Sequence, residues 1–318
     1  MDTLRLVDPE LAPILEAFPK LEFTRESLPA IREDFVAMSA RARAALPELP
    51  DIAVTRRTVP GPAGAPDVPV IVYVQKGAQG PLGALLWIHG GGYVIGSAEQ
   101  DDGLVKGIVS QVGCAVVSVD YRLAPETTAP GSLEDCYAAL SWLHASAAEL
   151  GVDPGRIAIG GASAGGGLAA ALGLLTRDRG VHPLAYQLLI YPMLDDRTCT
   201  TSSPHPYVGE FIWNPAANHF GWSALLGHEP GLPEASPYAV PARAASLAGL
   251  PPTLISVGAL DLFLEEDIEY ARRLMREGIA TELHVYPSAF HGFNQMPTAR
   301  VAQAFNRDLV AALRRALE

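Results

Sequence analysis

The chain has 318 residues, of which 49% are hydrophobic, and a formal net charge of −12 at pH 7. This size suits one large α/β domain, or one domain with an appended cap, and a sizeable core. The acidic balance, without a run of Lys or Arg, excludes nucleic acids and anionic membranes as expected partners. Three irregularly spaced cysteines argue against a disulfide framework or a cysteine metal site. We expect no signal peptide, no membrane span and a cytoplasmic location.

Residues 1–48 show a helical pattern that precedes the first strand signal. Apolar residues recur at helical spacing in two stripes: Leu11, Ile14 and Leu15, then Ile31, Phe35 and Met38. These residues predict helices laid over a domain that begins near residue 49.

Strand and helix patterns alternate through residues 49–194 and again through 236–318. Because strands that alternate with helices form parallel sheets, we predict an α/β fold with a mainly parallel central sheet and helices on both faces. Ser132 is expected to cap one helix, with Asp135 at the capping-box position. Residues 195–235 are irregular and rich in Pro, Ser, Thr and aromatics, which is typical of a lid or pocket wall. The predicted strands are Val54–Val59, Val68–Val74, Ala84–Ile88, Ala115–Asp120, Arg156–Gly160, Ala185–Tyr191, Thr253–Gly258 and Thr281–Tyr286.

A serine lies where a β-type run meets an Ala/Leu-rich helical pattern. The segment Gly161-Ala162-Ser163-Ala164-Gly165 is a G-x-S-x-G motif in its strand–turn–helix context. A serine at such a sharp turn has strained backbone angles, and the flanking glycines let the chain pass closely. An ordinary glycine-rich βα turn is the alternative; phosphate-loop and dinucleotide motifs do not match. We interpret Ser163 as a candidate nucleophile.

Three glycines follow the predicted strand 84–88, in the segment from His89 to Gly92. Such a run lets backbone N–H groups converge on one point, as an oxyanion requires. We assign Gly91, Gly92 and the N–H of Ala164 to an oxyanion hole, and His89 to a structural role in anchoring the loop. A flexible turn is the alternative for the glycines.

Two further residues complete a hydrolytic set. Asp261 comes directly after a strand, at the carboxyl edge of the sheet where ligands bind in such folds. His291 lies in the loop after the last predicted strand, where a lone histidine could also be a packing residue. The order Ser163, Asp261, His291 is that of the α/β-hydrolase triad. His291 would take the serine proton and Asp261 would orient the imidazole.

Six segments, in order, resemble the hormone-sensitive-lipase family of α/β-hydrolases, in its bacterial family IV esterase branch. The resemblance spans roughly residues 50–318 and implies the α/β-hydrolase fold, in which residues 1–48 and 195–235 are similar to the family's two-part helical cap. Two departures bear on the pocket: Ala162 precedes the serine where the family often has Asp or Thr, and Phe263 stands where many members have a small residue or proline. The matching segments are His89–Gly92, Asp120–Glu126, Leu133–Cys136, Ser163–Gly166, Asp261–Leu262 and His291–Phe293.

Together these observations predict a carboxylic ester hydrolase that works through an acyl-enzyme and needs no metal or organic cofactor. Four aromatic residues near the expected site predict a confined apolar pocket and a preference for short-to-medium acyl chains. A non-catalytic small-molecule receptor on the same fold, or a hydrolase of amides, lactones or thioesters, are the alternatives. The resemblance also permits a homodimer through an edge of the sheet. The four aromatics are Tyr93, Phe211, Phe263 and Phe290.

Overall fold

An eight-stranded sheet forms the centre of the computed structural model, which describes residues 3–18 and 22–318. The strand order is β1-β2-β4-β3-β5-β6-β7-β8. Strand β2 is antiparallel to both its neighbours, and the pairs from β4 to β8 are all parallel. The predicted mainly parallel sheet is therefore confirmed. The strands are β1 (Ile52–Val59), β2 (Val68–Gln75), β3 (Leu82–Ile88), β4 (Ala115–Val119), β5 (Val152–Ala162), β6 (Tyr186–Ile190), β7 (Thr253–Gly258) and β8 (Thr281–Tyr286).

Helices cover both faces of the sheet and divide the core into two layers. Strand β4 shows why: Val117 and Val119 face one apolar cluster with helices α4 and α6, whereas Val116 faces another with helices α3 and α9. Strands buried on both faces are continuous apolar runs, as β3 and β4 are. The helices are α1 (Ala12–Ala17), α2 (Leu28–Ala44), α3 (Asp102–Val112), α4 (Gly131–Ala145), α5 (Ala147–Leu150), α6 (Ala164–Arg179), α7 (Pro215–Leu226), α8 (Leu264–Arg276) and α9 (Arg300–Leu317).

The expected helices of residues 1–48 are present as α1 and α2, while residues 1–2 and 19–21 of that prediction lie outside the described residues. Residues 195–235 contain one helix, α7, between irregular stretches. In the described ranges, 3–18 and 22–318, no helix is both long and apolar enough to cross a bilayer.

The predicted capping box at Ser132 is wrong. Helix α4 begins at Gly131, so Ser132 lies inside its first turn. The Asp135 carboxylate instead accepts hydrogen bonds from the Arg122 guanidinium, Nε at 2.8 Å and Nη2 at 2.7 Å, and from the Arg122 backbone N–H at 3.0 Å. A bidentate ion pair of this kind is stronger than a cap formed by a neutral hydroxyl, and it braces the loop after β4.

Candidate active site

Ser163 occupies the sharp turn between β5 and α6, at the carboxyl edge of the sheet. Its backbone angles are φ 57° and ψ −123°, a strained conformation for a residue other than glycine. A Cβ on Gly161 would overlap the carbonyl of Gly165, and one on Gly165 would overlap the carbonyl of Ile88. The two motif glycines are therefore required by close backbone approach. They let the turn hold the serine above the start of α6.

The three residues predicted to act together lie in one hydrogen-bonded row. The Nε2 atom of His291 is 3.0 Å from Ser163 Oγ, and its Nδ1 atom is 2.8 Å from Asp261 Oδ2. The other oxygen of Asp261 accepts the backbone N–H of Phe263 at 3.0 Å. When Nδ1 donates to Asp261, Nε2 is free to accept the serine proton. This geometry is that of a nucleophile, a base and an orienting acid.

The imidazole of His291 is enclosed by aromatic rings. Its centroid is 4.6 Å from that of Tyr191, 5.3 Å from that of Phe263 and 6.4 Å from that of Trp213. Asp261 is 0% exposed, and Ser163 and His291 are each 6% exposed. Hydrogen bonds in such a water-poor setting are electrostatically stronger than at the surface.

The glycine loop after β3 faces the serine turn. Gly91 (φ 118°) and Gly92 (φ 57°) have positive φ, and no acceptor within residues 3–18 and 22–318 receives their backbone N–H groups. Ala164 is the first residue of α6, so its N–H has no partner within the helix. These are the three donors predicted for an oxyanion hole. Free N–H groups beside a helix N-terminus favour a negative charge.

His89 anchors this loop, as its predicted structural role requires. Its Nδ1 atom is 2.8 Å from the carbonyl oxygen of Gly90, and its ring stacks on Tyr121 with centroids 4.2 Å apart. The Tyr121 hydroxyl in turn donates to the His89 carbonyl at 2.9 Å. Burial lowers the pKa of His89, which favours the neutral ring. Nearby, Glu126 accepts a bidentate pair from Arg32 of α2, both bonds at 2.8 Å.

Of the four aromatic residues predicted to form the pocket, Phe211 is partly buried and the other three are buried. Phe263 packs edge-on against His291, and Phe211 lies 5.8 Å from Phe290, the residue before His291. Tyr93 is 1% exposed, so it is as buried as Phe263 and Phe290, and its hydroxyl donates to the Met193 carbonyl at 3.1 Å beneath the glycine loop. Three of the four therefore lie at the loop that carries the histidine.

Two residues beside His291 were missed by the sequence analysis. Tyr191 directly follows β6, and its hydroxyl donates to Asn294 Oδ1 at 2.7 Å. Burial raises the pKa of this phenol, so it stays neutral. The strand-end position that pointed to Asp261 also applies to Tyr191 and could have found it. Trp213 lies in the irregular stretch 195–235, where no periodic pattern marks it.

Two acidic residues of α8 lie below the site. Glu266 accepts the backbone N–H of Leu194 at 2.7 Å and also binds the Thr198 hydroxyl. Asp267 is 0% exposed, and neither of its carboxyl oxygens has a hydrogen-bond partner among the described residues. Burial, and then the charges of Glu266 and Asp261, raise the pKa of Asp267 well above its usual value. Nowhere in 3–18 or 22–318 do three His, Cys, Asp or Glu side chains form a group able to hold a metal.

A mainly parallel sheet with a serine turn after β5, a glycine loop after β3 and an acid and a histidine after β7 and β8 defines an α/β-hydrolase. A family model described as "alpha/beta hydrolase fold" matches residues 85–295. The chain belongs to this family, in its hormone-sensitive-lipase-like branch of esterases.

Known proteins similar to this chain include several esterases. The solved structure titled "Bacterial Heroin Esterase" superposes with a TM-score of 0.93 at 43% identity and covers 99% of each chain. Carboxylesterase NlhH of Mycobacterium tuberculosis is 34% identical over 98% of this chain and 96% of its own length. The ethyl acetate hydrolase of Pseudomonas putida is 32% identical over 67% of this chain and 66% of its own length. The chain is a carboxylic ester hydrolase.

Proposed function

We propose that this hydrolase cleaves short-to-medium-chain acyl esters through an acyl-enzyme on Ser163. The observation that carries the proposal is the hydrogen-bonded row in which Ser163 Oγ lies 3.0 Å from His291 Nε2 and Asp261 lies 2.8 Å from Nδ1. His291 takes the serine proton as Oγ attacks the ester carbonyl, then returns that proton to the leaving alcohol. Water deprotonated by His291 releases the acid in the second half-reaction, and Asp261 stabilises the imidazolium throughout.

The oxyanion of each tetrahedral intermediate is held by the N–H groups of Gly91, Gly92 and Ala164. Supporting this role, the Gly91 and Gly92 N–H groups have no acceptor within the described residues, and Ala164 opens α6. Donors fixed before the reaction lose no free energy to reorganisation when the charge develops.

The pocket wall is apolar and close to the reacting atoms. Phe211, Phe263 and Phe290 supply its aromatic surface, with Tyr93 supporting the glycine loop from below. The name of the Pseudomonas relative, which acts on an acetate ester, agrees with a small acyl group. Residues 1–48 and 195–235 act as a two-part cap over the catalytic core, which is formed by residues 49–194 and 236–318. In support, Phe23 of the first part packs on Trp213 of the second at 5.8 Å.

The net charge and the cysteine content of the chain bear on its partners and its location. The net charge of −12 disfavours nucleic acid, and we place the protein in the cytoplasm. Strand β8, in which Val285 is 41% exposed, is the last strand of the sheet, and no strand of the described residues pairs with its outer edge; this supports a homodimer formed edge to edge. Light scattering at micromolar concentration tests the dimer, and a monomer mass contradicts it.

Hydrolysis of p-nitrophenyl acetate by the wild type and by Ser163→Ala tests the mechanism. The variant should lose on the order of 10⁴-fold or more in kcat, because the nucleophile is absent. It should keep the wild-type melting temperature within a few degrees, since one buried hydroxyl is removed. Full esterase activity in a folded Ser163→Ala variant would contradict the proposal.

A matched ester and anilide of the same acid then measure the reaction class. The ester should be cleaved faster than the anilide. The proposed oxyanion donors serve both substrates, but the amine of the anilide is a poorer leaving group than the alcohol of the ester. Equal or faster amide cleavage would favour the amidase alternative. Tight binding of small molecules with no turnover of any ester would favour the receptor.

A further inference from the structure

Residues 209–213, here called the strap, cross the site and touch the loops that carry the acid and the histidine. The backbone N–H of Gly209 donates to the carbonyl of Leu260, the residue before Asp261, at 3.2 Å. Phe211 packs on Phe290, the residue before His291, with ring centroids 5.8 Å apart. The strap therefore contacts both loops through two residues, Gly209 and Phe211, that are close together in the chain.

The end of the strap, Trp213, lies on the third loop. A Cβ built on Gly92 would fall within the outer edge of the Trp213 indole, so this ring rests directly on the Gly92 backbone. The indole is also 6.4 Å from His291 between centroids, and it is 6% exposed. One side chain therefore borders both the proposed oxyanion hole and the base.

The indole is held in this position from behind. Its Nε1–H donates to Asn218 Oδ1 at 3.3 Å, and Asn218 itself donates to the Thr198 carbonyl at 3.0 Å. On its outer side the ring meets Phe23, which stacks on Phe220 at 5.8 Å. These contacts restrain the ring at its Nε1 atom and on its outer face.

The backbone before Trp213 is strained. Ile212 has φ 63°, which is rare for a β-branched residue, and the N–H of Trp213 donates to the carbonyl of Phe211 at 2.7 Å. This is a γ-turn with positive φ at its centre, a strained conformation that concentrates at functional sites. The turn sends Phe211 toward the histidine loop and Trp213 toward the glycine loop.

We infer that Trp213 is a specificity-determining residue that closes the acyl side of the pocket and limits the length of the acyl groups that the enzyme accepts. The inference rests on the proposed acyl-enzyme mechanism. In that mechanism the carbonyl oxygen and the acyl chain stay on the carbon that Ser163 attacks, and the oxygen becomes an oxyanion in each tetrahedral intermediate, whereas the alcohol leaves in the first half-reaction. A ring fixed against Gly92 stays beside the reacting carbonyl group through both half-reactions, and the inference places the acyl chain of the ester on the side of this ring.

The test compares kcat/KM for p-nitrophenyl acetate, butyrate and octanoate in the wild type and in Trp213→Phe, Trp213→Leu and Trp213→Ala. The ratio of kcat/KM for octanoate to that for acetate should rise as the side chain at position 213 becomes smaller. In Trp213→Ala it should rise on the order of tenfold or more, because one methylene group accepted or rejected by a pocket changes kcat/KM by about that factor. Trp142→Ala is the matched control: it removes a tryptophan from α4, where the ring packs against Arg57, and should leave the ratio unchanged.

A ratio that stays within about twofold of the wild type across the three variants, whatever their absolute rates, would overturn the role of Trp213. If Trp213→Ala does not fold, the Phe and Leu variants decide by the same ratio. Failure of the mechanism is distinguishable, because it would appear as wild-type protein that cleaves none of the three esters, or as Ser163→Ala with full activity.

Discussion

The loops that carry the proposed catalytic groups and the strap that crosses them are held in place by different forces. Ser163, Asp261 and His291 follow strands whose ends meet at one edge of the sheet, and backbone sterics and short hydrogen bonds set their positions. The strap has no ladder of hydrogen bonds. Ring contacts, a strained γ-turn at Ile212, one indole hydrogen bond and the backbone hydrogen bond from Gly209 to Leu260 position it.

This difference separates chemistry from selectivity. A rigid sheet edge holds reacting groups to within tenths of an ångström, as proton transfer requires. Residues of a strap held by side-chain packing can be substituted without displacing the groups at the sheet edge. Loops of this kind commonly determine specificity. Substitutions in the loops should therefore change kcat for every substrate, whereas substitutions in the strap should change the order of preference among substrates.

The largest effect in the loops, next to removal of the nucleophile, is expected for Asp261→Asn. The amide keeps the shape and one acceptor, but it cannot stabilise an imidazolium, so kcat for p-nitrophenyl acetate should fall on the order of 10⁴-fold. Acetate and octanoate rates should fall by the same factor. A change in the acyl preference of this variant would contradict the proposal that the loops set the rate and the strap sets the substrate preference.

Gly92→Ala tests the point where the two regions touch. Its methyl group would collide with the Trp213 ring, so the glycine loop or the indole must move. Loss of one well-placed oxyanion donor should lower kcat about 10²–10³-fold. Gly113→Ala is the matched control, because Gly113 also has positive φ (77°) but a Cβ there meets nothing within 4 Å.

The control should lower stability slightly and leave kcat unchanged. Adding Trp213→Ala to Gly92→Ala removes the collision, so the double variant should recover part of the lost rate. Strictly additive effects in this double-mutant cycle would show that the indole does not press on the loop.

The smallest expected effect lies beneath the loops, at Asp267. Because the folded state raises the pKa of this carboxyl, the folded chain binds the proton more tightly than the unfolded chain does. Its contribution to stability is therefore greatest below the unfolded pKa and is lost as pH rises through the folded pKa. Asp267→Asn removes that loss, so the variant should melt roughly 1–3 °C above the wild type at pH 8 and closer to it at pH 5.

Asp196→Asn provides the opposite case for comparison. Asp196 is equally buried, but it accepts hydrogen bonds from Arg243 Nε and from the Gly231 N–H, both at 2.7 Å. Loss of its charge leaves the Arg243 cation without its partner, so this variant should melt below the wild type. An Asp267→Asn variant that is destabilised to the same extent at both pH values would contradict a protonated Asp267.

Prediction from the sequence succeeded where one short segment dictates its own geometry. The G-x-S-x-G segment around Ser163 requires glycine at two close approaches, and strand-end positions brought Asp261 and His291 to the same edge. The capping box at Ser132 failed because a distant arginine, Arg122, offered Asp135 a stronger partner than the helix end.

Periodicity and steric requirements act over a few residues, so they were enough to predict the fold class, the strands and the loops proposed to carry the chemistry. The contact of Trp213 with Gly92 beside His291, with Phe23 behind it, is visible only in the folded chain. These residues are far apart along the chain, and the irregular segment between 195 and 235 has no period that specifies where its rings point. Its course depends on what it packs against, which is known only once the sheet has formed.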